Sequence, residues 1–230
     1  MTFRSALIVG AGTGLSASLA RAFAKEGLQV ALAARSPDKL ARLAQDIGAR
    51  TFECDATERY DVDALFAKLD EAGAPPDVVV YNASYRTRGP LVDLDPAEVE
   101  KAIAVTAFGA FLVAQAAVKR MLPNRNGAVF LTGASAGVKG YAQSAPFAMG
   151  KFALRGLAQS MARELSPQGI HVAHVVVDGG IRSARRQEPP DKPDSLLDPD
   201  AIARSYLHLL HQPRNAWSWE LEVRPWVESF

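Results

Sequence analysis

Cysteine is almost absent from this chain, because Cys54 is the only one among 230 residues. A single thiol excludes a disulfide within the chain, and it excludes a metal site built from several thiolates. Such a composition is typical of a reducing compartment. Residues 1–5 also lack the apolar segment of a secretory signal, so we expect a cytoplasmic protein.

Net charge and long apolar runs are scarce as well. The formal net charge is +1, and the 26 basic and 25 acidic residues are scattered along the chain. Without a basic stripe or a polybasic segment, we predict neither a nucleic-acid partner nor a membrane-surface partner. No unbroken apolar run approaches the ~20 residues of a membrane helix. His171 and His174 fall on an apolar strand pattern without metal-ligand spacing, so we predict core or strand-end residues and no metal site.

Short β-branched runs alternate with longer helical patterns along the whole chain. This alternation predicts a parallel sheet with helices on both faces. A hydrophobic content of 48% over 230 residues suffices for the core of one domain. Neither a repeat nor a linker divides the chain, so we predict one doubly wound α/β domain over residues 1–230. The predicted strands cover residues 6–9, 29–34, 49–54, 78–81, 128–132, 171–177 and 220–223.

Polar residues followed by proline mark three helix starts, at Ser36, Asp95 and Asp198. Proline is favourable at the first helical position, where its missing N–H has no partner to lose. Glu98 is predicted to complete a capping box with Asp95. The long irregular stretch 183–197 is rich in Arg, Pro and Asp, and we predict that it forms a mobile lid over a substrate.

A glycine cluster lies between the first predicted strand and a helical pattern. It reads Gly10-x-x-x-Gly14-x-Ser16, and Leu15 stands where the dinucleotide fingerprint requires its third glycine. Residues without Cβ let backbone N–H groups and the positive end of the next helix approach two phosphates closely. The loop therefore predicts a pyrophosphate site. Its predicted residues are Gly10, Gly12, Thr13, Gly14 and Leu15.

This loop resembles that of the short-chain dehydrogenase/reductase family, with the last family glycine replaced by Ser16. The resemblance covers nearly the whole chain. An Asp-Ala pair follows the third predicted strand, an Asn-Ala-Ser triplet follows the fourth, and residues 178–183 stand where the family carries Pro-Gly-x-Ile-x-Thr. It implies a Rossmann-type fold. The cofactor contacts that it implies are Asp55, Ala56, Asn82 and Ala83, with Ile181 and Ser183 at the nicotinamide carboxamide.

The end of the second predicted strand indicates which cofactor is preferred. An acid at this point accepts hydrogen bonds from the ribose 2′-OH of NAD(H), whereas a 2′-phosphate pairs with arginine. Here Ala34 occupies the place of the acid and Arg35 follows it. Arginine binds phosphate bidentately. We therefore predict NADP(H) in preference to NAD(H).

The catalytic positions implied by the resemblance are largely substituted. The family uses a tyrosine as proton donor, a lysine that lowers the tyrosine pKa, a serine on the carbonyl oxygen and an asparagine. Here the Tyr-x-x-x-Lys motif reads Phe147-x-x-x-Lys151, and the serine and asparagine positions are Ala134 and Thr106. Ser135 lies one residue away from the serine position. Only Lys151 is retained, and in the family this lysine also holds the nicotinamide ribose.

A phenyl ring cannot donate a proton, and the loss of a general acid typically costs ~10²–10⁴ in rate. Hydride transfer belongs to the cofactor and does not need the tyrosine. An activated carbonyl, an enone or an imine therefore remains a possible small-molecule substrate. Candidate replacement donors are Tyr141 and Ser135, followed by Ser144 and Tyr85.

Three hypotheses stay open. The first, which the retained cofactor motifs favour, is an atypical NADP(H)-dependent oxidoreductase. The second is an NADP(H)-binding sensor or partner subunit without turnover, and the third is an interaction protein that binds no nucleotide. Predicted helices at residues 96–121 and 146–165 correspond to the family's dimer interface, and three tryptophans crowd residues 217–226. We therefore predict a homodimer or homotetramer.

Overall fold

A computed structural model describes residues 3–229 of the chain. Met1, Thr2 and Phe230 lie outside the described residues, so the expectations for residues 1–5 and for a domain of residues 1–230 fall partly outside them too. Within the described part, seven parallel strands form one sheet in the order β3-β2-β1-β4-β5-β6-β7. The strands are β1 (Ser5–Val9), β2 (Gln29–Ala34), β3 (Arg50–Glu53), β4 (Val78–Tyr81), β5 (Gly127–Thr132), β6 (Ile170–Val177) and β7 (Glu220–Val223).

Helices cover both faces of this sheet. The side chains of α3, α5 and α6 share one apolar core with one face, and those of α1, α2 and α7 share a second core with the other face. The predicted doubly wound, Rossmann-type architecture is therefore confirmed. The helices are α1 (Leu15–Lys25), α2 (Ala41–Ile47), α3 (Arg59–Glu71), α4 (Pro96–Ile103), α5 (Gly109–Met121), α6 (Ala145–Leu165) and α7 (Pro199–His211).

Side chains on each strand alternate between the two cores. On β1, Leu7 and Val9 belong to the core with α3, α5 and α6, whereas Ala6 and Ile8 belong to the core with α1 and α7. The central strands β1 and β4 are buried on both faces and are almost entirely apolar, as expected inside a parallel sheet, whereas the edge strands β3 and β7 carry charged residues. The strand order reverses between β1 and β4, and such a switch point is where open α/β sheets bind ligands, beyond the carboxyl ends of the strands.

Two of the three predicted helix caps are present. Asp95 Oδ1 accepts a hydrogen bond from the backbone N of Ala97 at 2.9 Å. Asp198 Oδ1 accepts one from the backbone N of Asp200 at 2.7 Å. Ser36 makes no capping hydrogen bond, because a 3₁₀ turn at Pro37–Leu40 comes between it and α2.

The predicted capping box at α4 is wrong. The Glu98 carboxylate accepts a hydrogen bond from the Tyr85 hydroxyl and lies 3.6 Å from Lys101 Nζ, instead of returning to the backbone of Asp95. The Glu98 side chain thus interacts with Tyr85 and Lys101, and it does not complete the capping box. The hydrogen bond from Tyr85 to Glu98 anchors the loop after β4.

The helical stretch from α4 to α5 is continuous and contains a π-helical turn, Ala104–Phe108. Thr106 lies in this turn and is fully buried. Such turns are frequent at functional sites. By length and composition alone, residues 96–124 are apolar enough to cross a membrane, but half of their most apolar window is buried inside the protein. The buried side of this stretch belongs to the apolar core that it shares with α3 and α6.

Residues 183–197 form a compact loop whose two ends are held together. The backbone N of Arg182 donates to Leu197 O, and the backbone N of Leu197 donates to Gly180 O, both at 2.8 Å. Within the loop, the Glu188 carboxylate accepts hydrogen bonds from two backbone N–H groups. The position of the predicted lid is thus defined by hydrogen bonds at its base, and its mobility stays a prediction.

Two histidines on β6 are buried, as the sequence pattern predicts. His171 stacks on the Trp217 ring, with centroids 4.8 Å apart, and its Nε2 lies 2.9 Å from Ser218 O. His174 Nδ1 lies 2.9 Å from the Glu220 carboxylate. Burial lowers the pKa of both imidazoles below 6.5.

We expect the free energy of unfolding to decrease as the pH falls below about 6.5. The unfolded chain binds protons on His171 and His174 more readily than the folded chain does, so each adds a slope of at most about 1.4 kcal/mol per pH unit. Urea unfolding at several pH values between neutral and mildly acidic measures this slope. His171→Gln should reduce it, whereas His208→Gln, an exposed control on α7, should not. An unchanged slope in His171→Gln would contradict the prediction.

Candidate cofactor and substrate site

Two adjoining cavities open at the carboxyl edge of the sheet. The first has a volume of about 440 Å³ and lies beyond β1, β2 and β3. The second has a volume of about 560 Å³ and lies beyond β4, β5 and β6. Asn82 and Ser84, which follow β4, line both cavities. A ligand can therefore extend continuously from one cavity into the other.

Most of the predicted cofactor residues line these cavities. Leu15 and Ile181 line the second cavity. Gly14 lines neither, because it forms the N-cap of α1. Ser183 also lies outside both cavities, where its backbone pairs with that of Arg186. The predicted residues that line the first cavity are Gly10, Gly12, Thr13, Arg35, Asp55, Ala56, Asn82 and Ala83.

The glycine loop lies tightly against the turn after β4. Gly10 has a φ of +78°, and a Cβ at this position would overlap the backbone N of Ala83. Only glycine fits there. Ser16 Oγ accepts a hydrogen bond from Asn82 Nδ2 at 2.8 Å and donates one to Gly10 O at 3.3 Å. The Ser16 hydroxyl thus ties the loop to the end of β4.

The beginning of α1 is free to receive an anion. No side chain caps the helix, and its first turn carries no acid. A Cβ at Gly12 would meet nothing within 4 Å, so the loop leaves open space in front of this helix end. Unsatisfied N–H groups and the helix dipole favour negative charge here. The geometry fits a pyrophosphate.

Two cations stand at the outer end of the first cavity. Arg35 follows β2, and Lys39 comes from the 3₁₀ turn that follows. Both side chains are exposed, and neither joins an ion pair within residues 3–229. Nothing in the sequence motif singles out Lys39; a spacing of four residues from Arg35 across a tight turn is the signal that would have found it.

The wall of the first cavity beyond β3 is organised by Asp55. Its Oδ1 accepts hydrogen bonds from the backbone N and the hydroxyl of Thr57, at 3.0 and 2.8 Å. Cys54 is buried beside it, and burial raises the pKa of this thiol to about 12. The only thiol in the chain is therefore not a nucleophile at neutral pH.

The second cavity brings together most of the predicted catalytic positions, namely Ala134, Ser135, Tyr141, Phe147 and Lys151. Thr106 does not line it, because its hydroxyl lies beneath the loop after β4 and accepts a hydrogen bond from the backbone N of Tyr85 at 3.4 Å. Ser144 is buried and also lies outside the cavity. Of the four candidate replacement donors, only Ser135 and Tyr141 therefore border this space.

Lys151 is buried at the base of the second cavity. Its ammonium donates to Thr132 O at 2.7 Å and lies 5.7 Å from the centre of the Phe147 ring. Burial lowers the pKa of Lys151 to about 8. Most of the amine is still protonated at neutral pH, so it can donate a hydrogen bond to a ribose hydroxyl and can exchange a proton near physiological pH.

Arginines that the motifs did not single out also line the second cavity. The guanidinium of Arg86 lies over the Phe147 ring, 4.8 Å from its centre, and Arg88 and Arg186 lie close by. Residues 3–229 contain no group of three or more His, Cys, Asp or Glu side chains placed to hold a metal ion.

A glycine-loop cavity that continues into a second cavity with a buried lysine is the architecture of the Rossmann-type oxidoreductases. The family model of the short chain dehydrogenases matches residues 4–193, so the chain belongs to this family. Its fold binds a nicotinamide dinucleotide, and its members act on small molecules.

Several relatives are similar to this chain over nearly its full length. An uncharacterised oxidoreductase of Staphylococcus aureus (strain N315) is 28% identical over 98% of both chains. The crystal structure of a short-chain dehydrogenase from Rhodopseudomonas palustris is 33% identical, with a TM-score of 0.83 over 97% of this chain and 99% of that one. A metagenomic short-chain oxidoreductase in complex with NADP is 27% identical, with a TM-score of 0.85 over 98% of each chain.

Proposed function

We propose that this protein is an atypical NADP(H)-dependent oxidoreductase of the cytoplasm that reduces a small activated carbonyl, enone or imine. One observation carries the proposal: the first cavity, with two unpaired cations at its outer end, continues into a cavity that holds Lys151 beside Phe147. The cofactor side is equipped for binding, whereas the usual tyrosine hydroxyl is absent.

The residues of the first cavity fit NADP(H). Arg35 and Lys39 would hold the 2′-phosphate, and the glycine loop with the N-terminus of α1 would hold the pyrophosphate. Ala34 stands where an acid would repel that phosphate. A metagenomic relative of the same fold was solved with NADP, which supports the choice.

The residues of the second cavity would position the reacting end. Lys151 would hold the nicotinamide ribose, and the backbone of Ile181 would contact the carboxamide. Ser183 would reach the carboxamide if the loop at residues 183–197 moves inward, which agrees with its proposed role as a lid. When bound, the nicotinamide supplies the hydride.

Protonation is where this chain differs from its family. In our assignment, Phe147 and Ala134 replace the tyrosine and serine, and Thr106 replaces the asparagine. Ser135 and Tyr141 are the hydroxyls that border the cavity, and we propose them as alternative proton donors. An acceptor that is already activated needs less help from an acid, which is why we favour such substrates.

A non-catalytic NADP(H)-binding sensor or partner subunit is the second candidate. Its specific support is that Arg86 lies against the face of Phe147, so a cation borders the place where the family's proton donor stands. Turnover of a broad substrate panel at saturating NADPH separates this candidate from the enzyme. A chain that binds neither NADPH nor NADH would instead be an interaction protein.

We also propose that the protein is a homodimer or homotetramer. Phe108 and Phe111 of the 96–121 stretch, with Met149 and Phe152 of α6, are between 41% and 51% exposed, which is unusual for such large apolar side chains on neighbouring helices. The corresponding helices form the dimer interface in the family. Trp217 is instead packed within the chain. A monomer at micromolar concentration in analytical ultracentrifugation would rule out the assembly.

Arg35→Ala should weaken NADPH binding by about 1.5–3 kcal/mol, because it removes one charge-assisted pair with the 2′-phosphate. NADH binding should stay unchanged. Isothermal titration calorimetry with both cofactors measures the difference, and Lys39→Ala should act in the same direction. Arg42→Ala is the matched control, because Arg42 is exposed on α2 and does not line the cavity. Equal affinities of the unmutated protein for NADPH and NADH would refute the preference.

Phe147→Tyr combined with Ala134→Ser should raise NADPH-dependent reduction of a small activated ketone by at least ~10²-fold. The new phenol would stand beside the Lys151 ammonium, which favours the phenolate and lowers the pKa of the hydroxyl. Initial rates at saturating NADPH provide the measurement.

Ala153→Ser is the control for this experiment, because it adds a hydroxyl at an exposed position of the same helix outside the cavity. The gains of the two single variants should be non-additive, since both hydroxyls would hold one oxygen. A folded double variant that binds NADPH but gains no activity on any carbonyl would favour the non-catalytic candidate.

A further inference from the structure

The second cavity is lined by three arginines that the proposed reaction does not use. Arg86 and Arg88 come from the loop after β4, and Arg186 comes from the loop at residues 183–197. All three are exposed to the cavity or its mouth, and none joins an ion pair within residues 3–229. Three like charges from two separate segments thus converge on one space.

The acids nearby do not balance this charge. Asp178 is buried, and its carboxylate is already engaged by Arg224 at 3.2 Å and by Lys139 at 4.0 Å. Glu228 is the other acid that lines the cavity. Burial lowers the pKa of Arg86, and the charges of Arg88 and Arg186 lower it further, as expected for guanidinium groups that repel one another.

Arg86 has a defined position because of the residue at the family's tyrosine site. Its guanidinium carbon lies 4.8 Å from the centre of the Phe147 ring, within the range of a cation–π contact. Phenylalanine offers this face without a hydroxyl that would compete for the guanidinium. The substitution therefore provides a support for Arg86 next to Lys151.

The loop that carries Arg86 is anchored at the preceding residue, Tyr85. The Tyr85 hydroxyl donates to the Glu98 carboxylate, and the Lys101 ammonium lies 4.4 Å from the ring centre. The Tyr85 backbone N donates to Thr106 Oγ1 at 3.4 Å. Thr106, which we assign to the family's asparagine position, thus helps to hold the loop that carries Arg86. Because this loop is already ordered, little conformational entropy is lost when a ligand binds.

This cluster is distinct from the cations proposed for the cofactor. Arg35 and Lys39 line the first cavity, whereas the arginines of the cluster line only the second. An anionic group bound by them would lie beside Phe147 and Lys151, where the reacting part of the substrate is expected. The group would therefore belong to the substrate.

We propose that Arg86, Arg88 and Arg186 bind the carboxylate or phosphoryl group of an anionic substrate. Guanidinium groups match both anions because each presents paired N–H donors to two oxygens. This inference rests on the proposed function in one respect, namely that the bound anion is part of the molecule that the nicotinamide reduces.

The test uses three aryl ketones of matched shape: para-acetylbenzoate, para-acetylphenyl phosphate and the neutral methyl para-acetylbenzoate. Calorimetric titration into protein saturated with NADP⁺ measures binding without turnover. We expect at least one anionic ketone to bind at least ~10-fold more tightly than the neutral ester, and the tighter of the two identifies the group. Arg86→Gln should weaken that anion by roughly 10–100-fold and leave the neutral ester unchanged.

Arg185→Gln is the matched control, because Arg185 is exposed in the same loop as Arg186 but does not line the cavity. It should leave all three affinities unchanged. Should Arg86→Gln fail to fold, judged by its Tm, Arg186→Gln provides the same test from the other segment.

Two results would overturn the proposal: equal affinities for the anionic and neutral ketones, or arginine variants that weaken NADP⁺ binding instead of ketone binding. Titration of the cofactor-free protein separates this proposal from the proposed function. Arginine-dependent binding of the anionic ketone by a protein that binds neither NADPH nor NADH would refute the proposed oxidoreductase activity and would leave the anion site supported.

Discussion

The close approach between Gly10 and Ala83 is the contact on which the whole site depends. It lies where β1 and β4 are neighbours and the strand order reverses, so two turns must leave the sheet side by side. With no Cβ at Gly10, the loop after β1 bends toward α1 and opens the first cavity. The Asn82 side chain then fixes the turn after β4 through Ser16. The loop that follows this turn lines the second cavity, and it carries Arg86.

Much of the fold could be predicted because its signals are local. Every predicted strand is present within one residue at each end, since buried parallel strands are short apolar runs between polar turns. Predictions that depend on which hydrogen-bond partner a side chain selects are less accurate. Glu98 has a suitable position for a capping box, but a tyrosine thirteen residues earlier in the chain takes its carboxylate once the loop folds back. Local spacing contains no information about that competition.

In the candidate site, too, features with a local sequence signal are predictable, and contacts between distant segments are not. Motif positions along the strand ends predict the lining of the first cavity well, because a parallel sheet brings successive carboxyl ends to one edge. The arginines around Phe147 are found only from the folded chain, since loops far apart in sequence supply them. The spacing of Lys39 from Arg35, in contrast, is visible in the sequence. In our assignment from the sequence, Phe147 and Thr106 stand where the family carries catalytic side chains, which predicts a simple loss at each position. In the structure each has a partner, Arg86 for the ring and the backbone of Tyr85 for the hydroxyl.

The buried thiol of Cys54 has a consequence for how the protein withstands oxidants. Peroxides attack the thiolate form of cysteine, and a pKa of about 12 leaves about one thiol in 10⁵ ionised at neutral pH. With no other cysteine in the chain, oxidants have no efficient route to sulfenic acid or to glutathione adducts on this protein. Its thiol should therefore stay reduced under peroxide stress that inactivates thiol-dependent enzymes.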